Sequence, residues 1–540
     1  MWVRTAVATS AAALPLVLPA VSSVADERAL QRRLPRRSQV QCAEAASSQD
    51  SRMAEVSRRM LTPAIHWAEL HGLVYAAKNR EADDSLATQC PVALLPFKIP
   101  RATFEDCTAL GPLWGKLVDA VARDHEWLLA TLEPAAKVDS FTSELVKISK
   151  AVHAEGPLRQ KLMLGIHRSD YMLHEPENSN NPPQLLQVEL NTISSSMLSH
   201  ASNVEKLHRY LLGRYGSVGD EVATVLKQHY GCSDAAALLE GLPPNSSLVA
   251  IPESIAKAHE VYGVPDAVVV MVVQETERNF ADQRGLEFAL WERFKVPMVR
   301  KTLSELHAEA VMCESSGRLF LDSKKGPEVS TVYFRAGYGP EEYESREACE
   351  ARLLLERSLA IKCPSIDYQL VGCKKVQQAL AKPGALERYL SAEECERLRS
   401  CFAGLWGLGV GEGDAEIVSE AVKSPDGYVL KPQREGGGHN FYGADVATQL
   451  QKLSIEERGA FILMQRIMPR TQWTIMTREG KCQSMPGLSE FGFYATYLGD
   501  GSTVHLAADA GHLVRTKAEG VDEGGVAAGY AVINSPFLVS

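Results

Sequence analysis

Tyr428-Val429-Leu430-Lys431-Pro432-Gln433-Arg434-Glu435-Gly436-Gly437-Gly438-His439-Asn440-Phe441-Tyr442-Gly443 brings together a strand-like apolar run, a lysine, a carboxylate and three consecutive glycines. Three adjacent glycines cost backbone entropy and offer nothing to pack. The segment therefore has two readings: a surface turn, or a loop whose bare N–H groups close over phosphate oxygens. Lys431 adds a cation and Glu435 an oxygen ligand for magnesium at the same place, which favours phosphate. No G-x-x-x-x-G-K-[ST] occurs, and Gly407-Leu408-Gly409-Val410-Gly411-Glu412-Gly413 does not fit G-x-G-x-x-G. The chemistry is thus neither that of a Walker loop nor that of a dinucleotide fingerprint.

Two further clusters match this one in character. In Gln187-Val188-Glu189-Leu190-Asn191 the alternation reads as a strand, so Glu189 and Asn191 share a face and can offer two oxygens to a hard cation. Ser194, Ser195 and Ser196 follow with hydroxyls and N–H groups for an anion. In Gly511-His512-Leu513-Val514-Arg515-Thr516-Lys517, strand geometry puts Arg515 and Lys517 on one face, and the glycine-rich stretch Gly524 to Gly529 beyond is suited to a lid. Taken singly, the first is equally a solvated strand face and the second a basic edge strand.

Composition bounds the classes. The 540 residues carry 57 basic and 67 acidic side chains, a net charge of -10, with 45% hydrophobic and 23% charged residues. That is the make-up of an ordinary globular chain of about two or three units, not a disordered, collagen-like or coiled-coil one. Without a long Lys/Arg run, neither nucleic acid nor an anionic membrane is expected as a partner. The eleven cysteines form no C-x-x-C and read as reduced, small apolar residues, which points to the cytosol. Residues 1–45 are read as a leader. Arg4, an Ala/Leu/Val run to Ala25 and then Arg28, Arg32, Arg33, Arg36 and Arg37 resemble a signal or transit segment, so an organelle stays open.

Along the rest of the chain, residues 51–168 read as helical, 185–191 as a strand, 207–215 as a helix and 231–247 as a surface connection. Ala267 to Val273 is a continuous β-branched run, expected of a strand buried on both faces of a parallel sheet. Strand and helix then alternate to Phe334, so 266–372 is expected to form a small βαβ-type domain.

The chain also resembles eukaryotic-type glutathione synthetase, an ATP-grasp ligase, over residues 50–538. The resemblance is carried by His167-Arg168-Ser169-Asp170-Tyr171-Met172, Val188 to Ser194, Gln274-Glu275-Thr276-Glu277-Arg278-Asn279 with Asp282-Gln283-Arg284, Val332 to Arg335, Ala351 to Ser358, Lys362 to Pro364, Gly372 to Gln378, Lys431 to Tyr442 and Arg515 to Gly529. It implies an α/β ATP-grasp fold with an inserted parallel-sheet βαβ substrate-binding domain. The body would run from 46 to 265, the insert from 266 to 372 and the nucleotide-binding part from 373 to 540. It implies ligation of γ-glutamylcysteine and glycine through an acyl phosphate, with ATP as co-substrate, Mg2+ as cofactor and a homodimer as the assembly.

By resemblance, magnesium falls to Glu189, Asn191 and Glu435. The nucleotide falls to Glu189, Lys374, Lys431, Glu435, Gly436, Gly437, Gly438, Asn440, Tyr442, Met464, Gln465, Arg466, Ile467, Glu490, Lys517 and Glu523. The dipeptide and amine fall to Arg168, Ser194, Ser195, Ser196, Glu277, Arg278, Asn279, Gln283, Arg335, Ala336, Gly337, Tyr338, Arg515, Val526 and Ala527. Arg515, Lys431 and Lys517 are the catalytic cations implied. Ala336 stands where the family has an acid, Gln465-Arg466 where it has Glu-Lys, and Glu523 where it has an aspartate. Two alternatives share the fold: a ligase for another amine such as β-alanine, against which Val526-Ala527 argues, and a non-catalytic nucleotide binder, which would have lost a metal ligand or phosphate lysine.

Overall fold

The computed structural model describes residues 39–77, 85–176, 182–323, 325–411, 415–433, 439–522, 524–526 and 529–540. The chain divides into two units, 1–51 and 52–540. Of the first, residues 39–51 are helical, being the start of helix Gln39–Leu70. The leader before residue 39 lies outside the described residues, as do Glu435, Gly436, Gly437, Gly438, Glu523 and Ala527.

The second unit is built on a ten-stranded mixed sheet. Its strands are β1 (Met163–His174), β2 (Gln184–Asn191), β3 (Val268–Val272), β4 (Met298–Lys301), β5 (Val329–Phe334) and β6 (Ile361–Cys363). A separate four-stranded sheet holds β7 (Leu405–Gly407), β8 (Tyr428–Pro432), β9 (Phe441–Tyr442) and β10 (Phe461–Gln465). The large sheet is completed by β11 (Gln472–Arg478), β12 (Lys481–Gly499), β13 (Val504–Ala518) and β14 (Ala531–Asn534). The order is β14-β13-β12-β1-β6-β5-β3-β4, with β11 on β12 and β2 on β1. The small sheet runs β7-β10-β8-β9.

The apolar run at 267–273 forms the parallel strand expected, buried throughout and flanked by β4 and β5. Val268, Val270 and Val272 enter one core and Val269, Met271 and Val273 the other, so both faces of the sheet are covered. Within 266–372, Val311–Met312 and Leu319–Phe320 pair in a small separate sheet, while β3, β4, β5 and β6 belong to the large one. β6 pairs with β1 in parallel, and β1 pairs with β12 antiparallel, so the stretch is one half of a continuous sheet.

The helical reading of 51–168 needs correction. Strands occur at Val74–Ala76, Ala87–Gln89 and Phe97–Pro100, and β1 begins at Met163. The first nine residues of β1 are buried, so no alternation marks it as a strand. The connection at 231–247 contains a short helix, Ala235–Glu240, capped by the Asp234 carboxylate. No helix among the described residues is long and apolar enough to cross a membrane.

Candidate functional site

Antiparallel register decides what one face of the large sheet presents. Arg168 opposes Asn191 and Asp170 opposes Glu189 across β1 and β2; Asp170 opposes Gly492 across β1 and β12; Glu490 opposes Arg515 and Leu488 opposes Lys517 across β12 and β13. Opposed residues share a face, as do residues two apart. Four adjacent strands therefore point Arg168, Asp170, Glu189, Asn191, Glu490, Arg515 and Lys517 the same way.

This face floors a cavity of about 580 Å³. Its roof is the small sheet, where alternation again sets the outcome: Tyr428, Leu430 and Leu463 enter the core beneath that sheet, which leaves Val429, Lys431 and Met464 on the cavity side. Loops after β2, β3 and β5 close the third side with Ser194, Ser195, Ser196, Glu277, Arg278, Asn279, Arg335 and Tyr338. These include the C-terminal ends of two parallel strands, the usual place for a ligand in such sheets. Asn440, Tyr442, Gln465, Arg466, Ile467, Glu490 and Val526 complete the predicted residues that line the cavity.

Four described residues of the expected set do not line it. Lys374, nearly buried, sits behind Glu189 with its Nζ 3.6 Å from the carboxylate. Gln283 donates its amide to Glu277 Oε2 at 2.6 Å and so buttresses a lining residue. Ala336 packs into the apolar core, where alanine suits its neighbours. Gly337 has φ +89° and accepts a hydrogen bond from Gln369 at 2.8 Å, a backbone role that explains glycine there. Ala336 and Gly337 thus shape the loop that carries Arg335 and Tyr338, and Ser195 is the only buried member of its serine trio, anchored to the Asn191 carbonyl.

Cations surround the Glu189 carboxylate on the floor. Burial raises the Glu189 pKa, but Lys374, Lys431, Arg515 and Arg168 outweigh it and hold the carboxyl down to about 2. Burial likewise pushes the Glu490 carboxyl up, with the Arg515 guanidinium opposing. Arg515 contacts Glu490 and lies 3.0 Å from Asp170. Lys431 Nζ donates to the Val188 carbonyl at 3.0 Å, and Lys517 Nζ to the Asp522 carbonyl. Arg466 pairs with Asp522 at 3.0 Å and lies over the Tyr442 ring, tying the roof to the 520–522 segment after β13. Arg335 donates to the Ser194 carbonyl at 3.0 Å.

Asp170, Asp282, Gln274 and Asp522 were given no role by the sequence. Asp282 is fully buried and accepts from the Met197 and Ser199 amides at 2.8 Å, capping helix Leu198–Gly216 and fixing the serine loop before it. Asp170 was within reach: it stands two residues from Arg168, and a strand reading of 163–174 would have put both on one face.

Comparison with known proteins gives a consistent picture. The sequence model described as "Eukaryotic glutathione synthase, ATP binding domain" matches residues 54–538. The chloroplastic glutathione synthetase of Solanum lycopersicum is 41% identical over 494 residues, covering 90% of this chain and 85% of that protein. The glutathione synthetase of Dictyostelium discoideum is 39% identical over 496 residues, covering 90% of this chain and 100% of the relative. That of Homo sapiens is 38% identical over 480 residues, covering 88% and 96%. Among solved structures, a glutathione synthetase-like effector from Globodera pallida in apo form superposes with a TM-score of 0.69 at 20% identity, covering 89% of this chain and 96% of that one. At that identity the likeness speaks for the fold alone.

Proposed function

The chain belongs to the eukaryotic glutathione synthase family of ATP-dependent ligases with the ATP-grasp fold, and on that premise we propose that it joins γ-glutamylcysteine to glycine at the cavity described. The observation that carries the reading is the convergence of Arg515 and Lys517 from the floor and Lys431 from the roof on the space beside Glu189 and Asn191. A dipeptide carboxylate attacks the γ-phosphate of ATP, ADP leaves, and the glycine amine displaces phosphate from the acyl phosphate. Negative charge gathers on phosphoryl oxygens and then on a tetrahedral centre, so the side chains required are fixed cations.

Arg515 lies where both developing charges are felt, and Lys431 and Lys517 grip the polyphosphate. Arg168, Asn279, Arg335 and Tyr338 orient the dipeptide. The residues present fit magnesium: Glu189 and Asn191 supply only oxygen, on one face, and both hydrogens of the Asn191 amide are engaged, at Asp170 Oδ2 (3.0 Å) and the Arg168 carbonyl (3.3 Å), which leaves its oxygen to offer. Glu435 would join them. When bound there, the ion neutralises charge on the phosphates. Excluding water from the acyl phosphate is assigned to Gly436, Gly437 and Gly438 and to Val526 with Ala527, of which Val526 lines the cavity.

Residues 266–372 contribute the dipeptide side of the cavity and 373–540 the nucleotide side. The assembly is a homodimer, supported by Phe288 and Trp291, which stand 56% and 52% exposed one turn apart on helix Phe280–Phe294. The cytosol is supported by ten described cysteines that are all free thiols. The test is ADP release by purified protein with ATP, Mg2+ and γ-glutamylcysteine, offered glycine or β-alanine. Turnover with glycine supports the reading; turnover preferring β-alanine selects the sibling ligase, and none with either amine overturns it.

A further inference from the structure

We propose that Asp170 is a positioning residue that sets the metal donor, the dipeptide arginine and the bond-forming arginine from a single carboxylate. The proposal rests on the ligase reading above and deepens it. Asp170 is 1% exposed and engages three site residues at once. Arg168 donates to it through Nε and Nη2 at 2.7 and 2.8 Å, a two-pronged contact that fixes the guanidinium plane. Arg515 Nη2 donates to Oδ2 at 3.0 Å. Asn191 Nδ2 donates to the same oxygen at 3.0 Å.

The last contact decides which end of the Asn191 amide meets the cavity. Turned over, its oxygen would face the Asp170 carboxylate and the Arg168 carbonyl, two acceptors with no proton to share. Asp170 thus makes Asn191 an oxygen donor toward the cavity, as a hard cation requires. Its negative charge also sits between buried Arg168 and partly buried Arg515, which would otherwise repel each other beside the substrate.

A second observation is independent of these bonds. Gly492 opposes Asp170 on β12, and a Cβ there would lie 2.6 Å from Asp170 Oδ1 and 2.8 Å from Arg168 Cδ. The sheet keeps this position bare on the side occupied by the Arg168–Asp170 pair. Gly492→Ala therefore displaces the pair while leaving every charge in place.

The test uses the full chain and two binding probes besides turnover. The first is γ-glutamylcysteine, titrated calorimetrically without metal or nucleotide; the second is Mn2+, followed by its EPR signal with a non-hydrolysable ATP analogue. Asp170→Asn is expected to weaken both by about tenfold or more, and Gly492→Ala to weaken both in the same direction. If Asp170→Asn does not fold, Asp170→Glu and Gly492→Ala carry the test. Wild-type affinity for both probes, or weakening of one probe alone, overturns the shared role. Failure of the ligase reading is distinguishable, because the wild-type protein itself would then bind no dipeptide.

Discussion

Glu490 and Arg515 face each other directly in the register of β12 and β13, and their side chains pair on the cavity floor. Arg515 Nη2 is thereby held by both Glu490 and Asp170, the latter at 3.0 Å, so its guanidinium is placed before any substrate arrives. A preplaced cation costs no reorganisation when charge develops. Arg515→Ala should lower the ligation rate about 10²–10³-fold while binding of a non-hydrolysable ATP analogue persists. Steady-state turnover and equilibrium binding measure the two; near-normal ligation by the variant would sink the role.

Lys431 reaches the cavity because the residues before and after Leu430 on β8 turn away from the core beneath the small sheet. Removing its charge affects the nucleotide and not the dipeptide, whose proposed contacts lie on the other side. Lys431→Met should raise the KM for ATP about tenfold or more and leave γ-glutamylcysteine binding, measured without nucleotide, at the wild-type level. An unchanged KM for ATP would remove the lysine from the phosphate site.

Phe288 and Trp291 are large apolar side chains more than half exposed on one helix face. If they meet a second copy, Phe288→Asp with Trp291→Asp should shift sedimentation from dimer to monomer with the thermal transition of each subunit retained. A dimer unaffected by the double substitution would place the interface elsewhere.

Outside the cavity lining, His153 Nε2 lies 2.8 Å from Asp367 Oδ2, Ser149 donates to the other carboxylate oxygen at 2.6 Å, and the His125 ring stacks on His153 at 3.6 Å. The Asp367 hydrogen bond raises the His153 pKa, against partial burial, with Glu356 adding to it. Because the folded value lies above the unfolded one, the stabilisation is fully present below the unfolded pKa and disappears as pH rises through the folded one. His125 opposes this: burial, then the neighbouring His153, lower its pKa, Asp367 acts the other way, and Lys150 adds to the lowering. The Tm gap between wild type and His153→Gln should therefore be larger near pH ~5.5 than near pH ~8.5. A gap that grows with pH would reverse the assignment.

The parallel half of the sheet was legible because the run 267–273 is apolar at every position, a pattern that only burial on both faces requires. The cation set was legible through local spacing: Glu189 with Asn191, and Arg515 with Lys517, share faces by period two. What the sequence could not show is register. That Asp170 meets Arg515, and that Gly492 leaves room for it, depends on strands more than three hundred residues apart aligning in one sheet, and that it meets Asn191 depends on the register of β1 with β2. Nor could alternation reveal β1, because its first nine residues are buried. The placement of Lys374 behind Glu189, rather than on the cavity wall, is likewise a product of packing and not of any local pattern.

On the proposed mechanism the converging cations promote transfer of the γ-phosphoryl group onto the dipeptide carboxylate, one oxygen of which then leaves with the phosphate. The most direct measurement is ligation of glycine to γ-glutamylcysteine whose cysteinyl carboxylate carries ¹⁸O, with mass analysis of the released phosphate. An acyl phosphate predicts one labelled oxygen in each phosphate formed. Unlabelled phosphate, with the displaced label released as water, would contradict the mechanism.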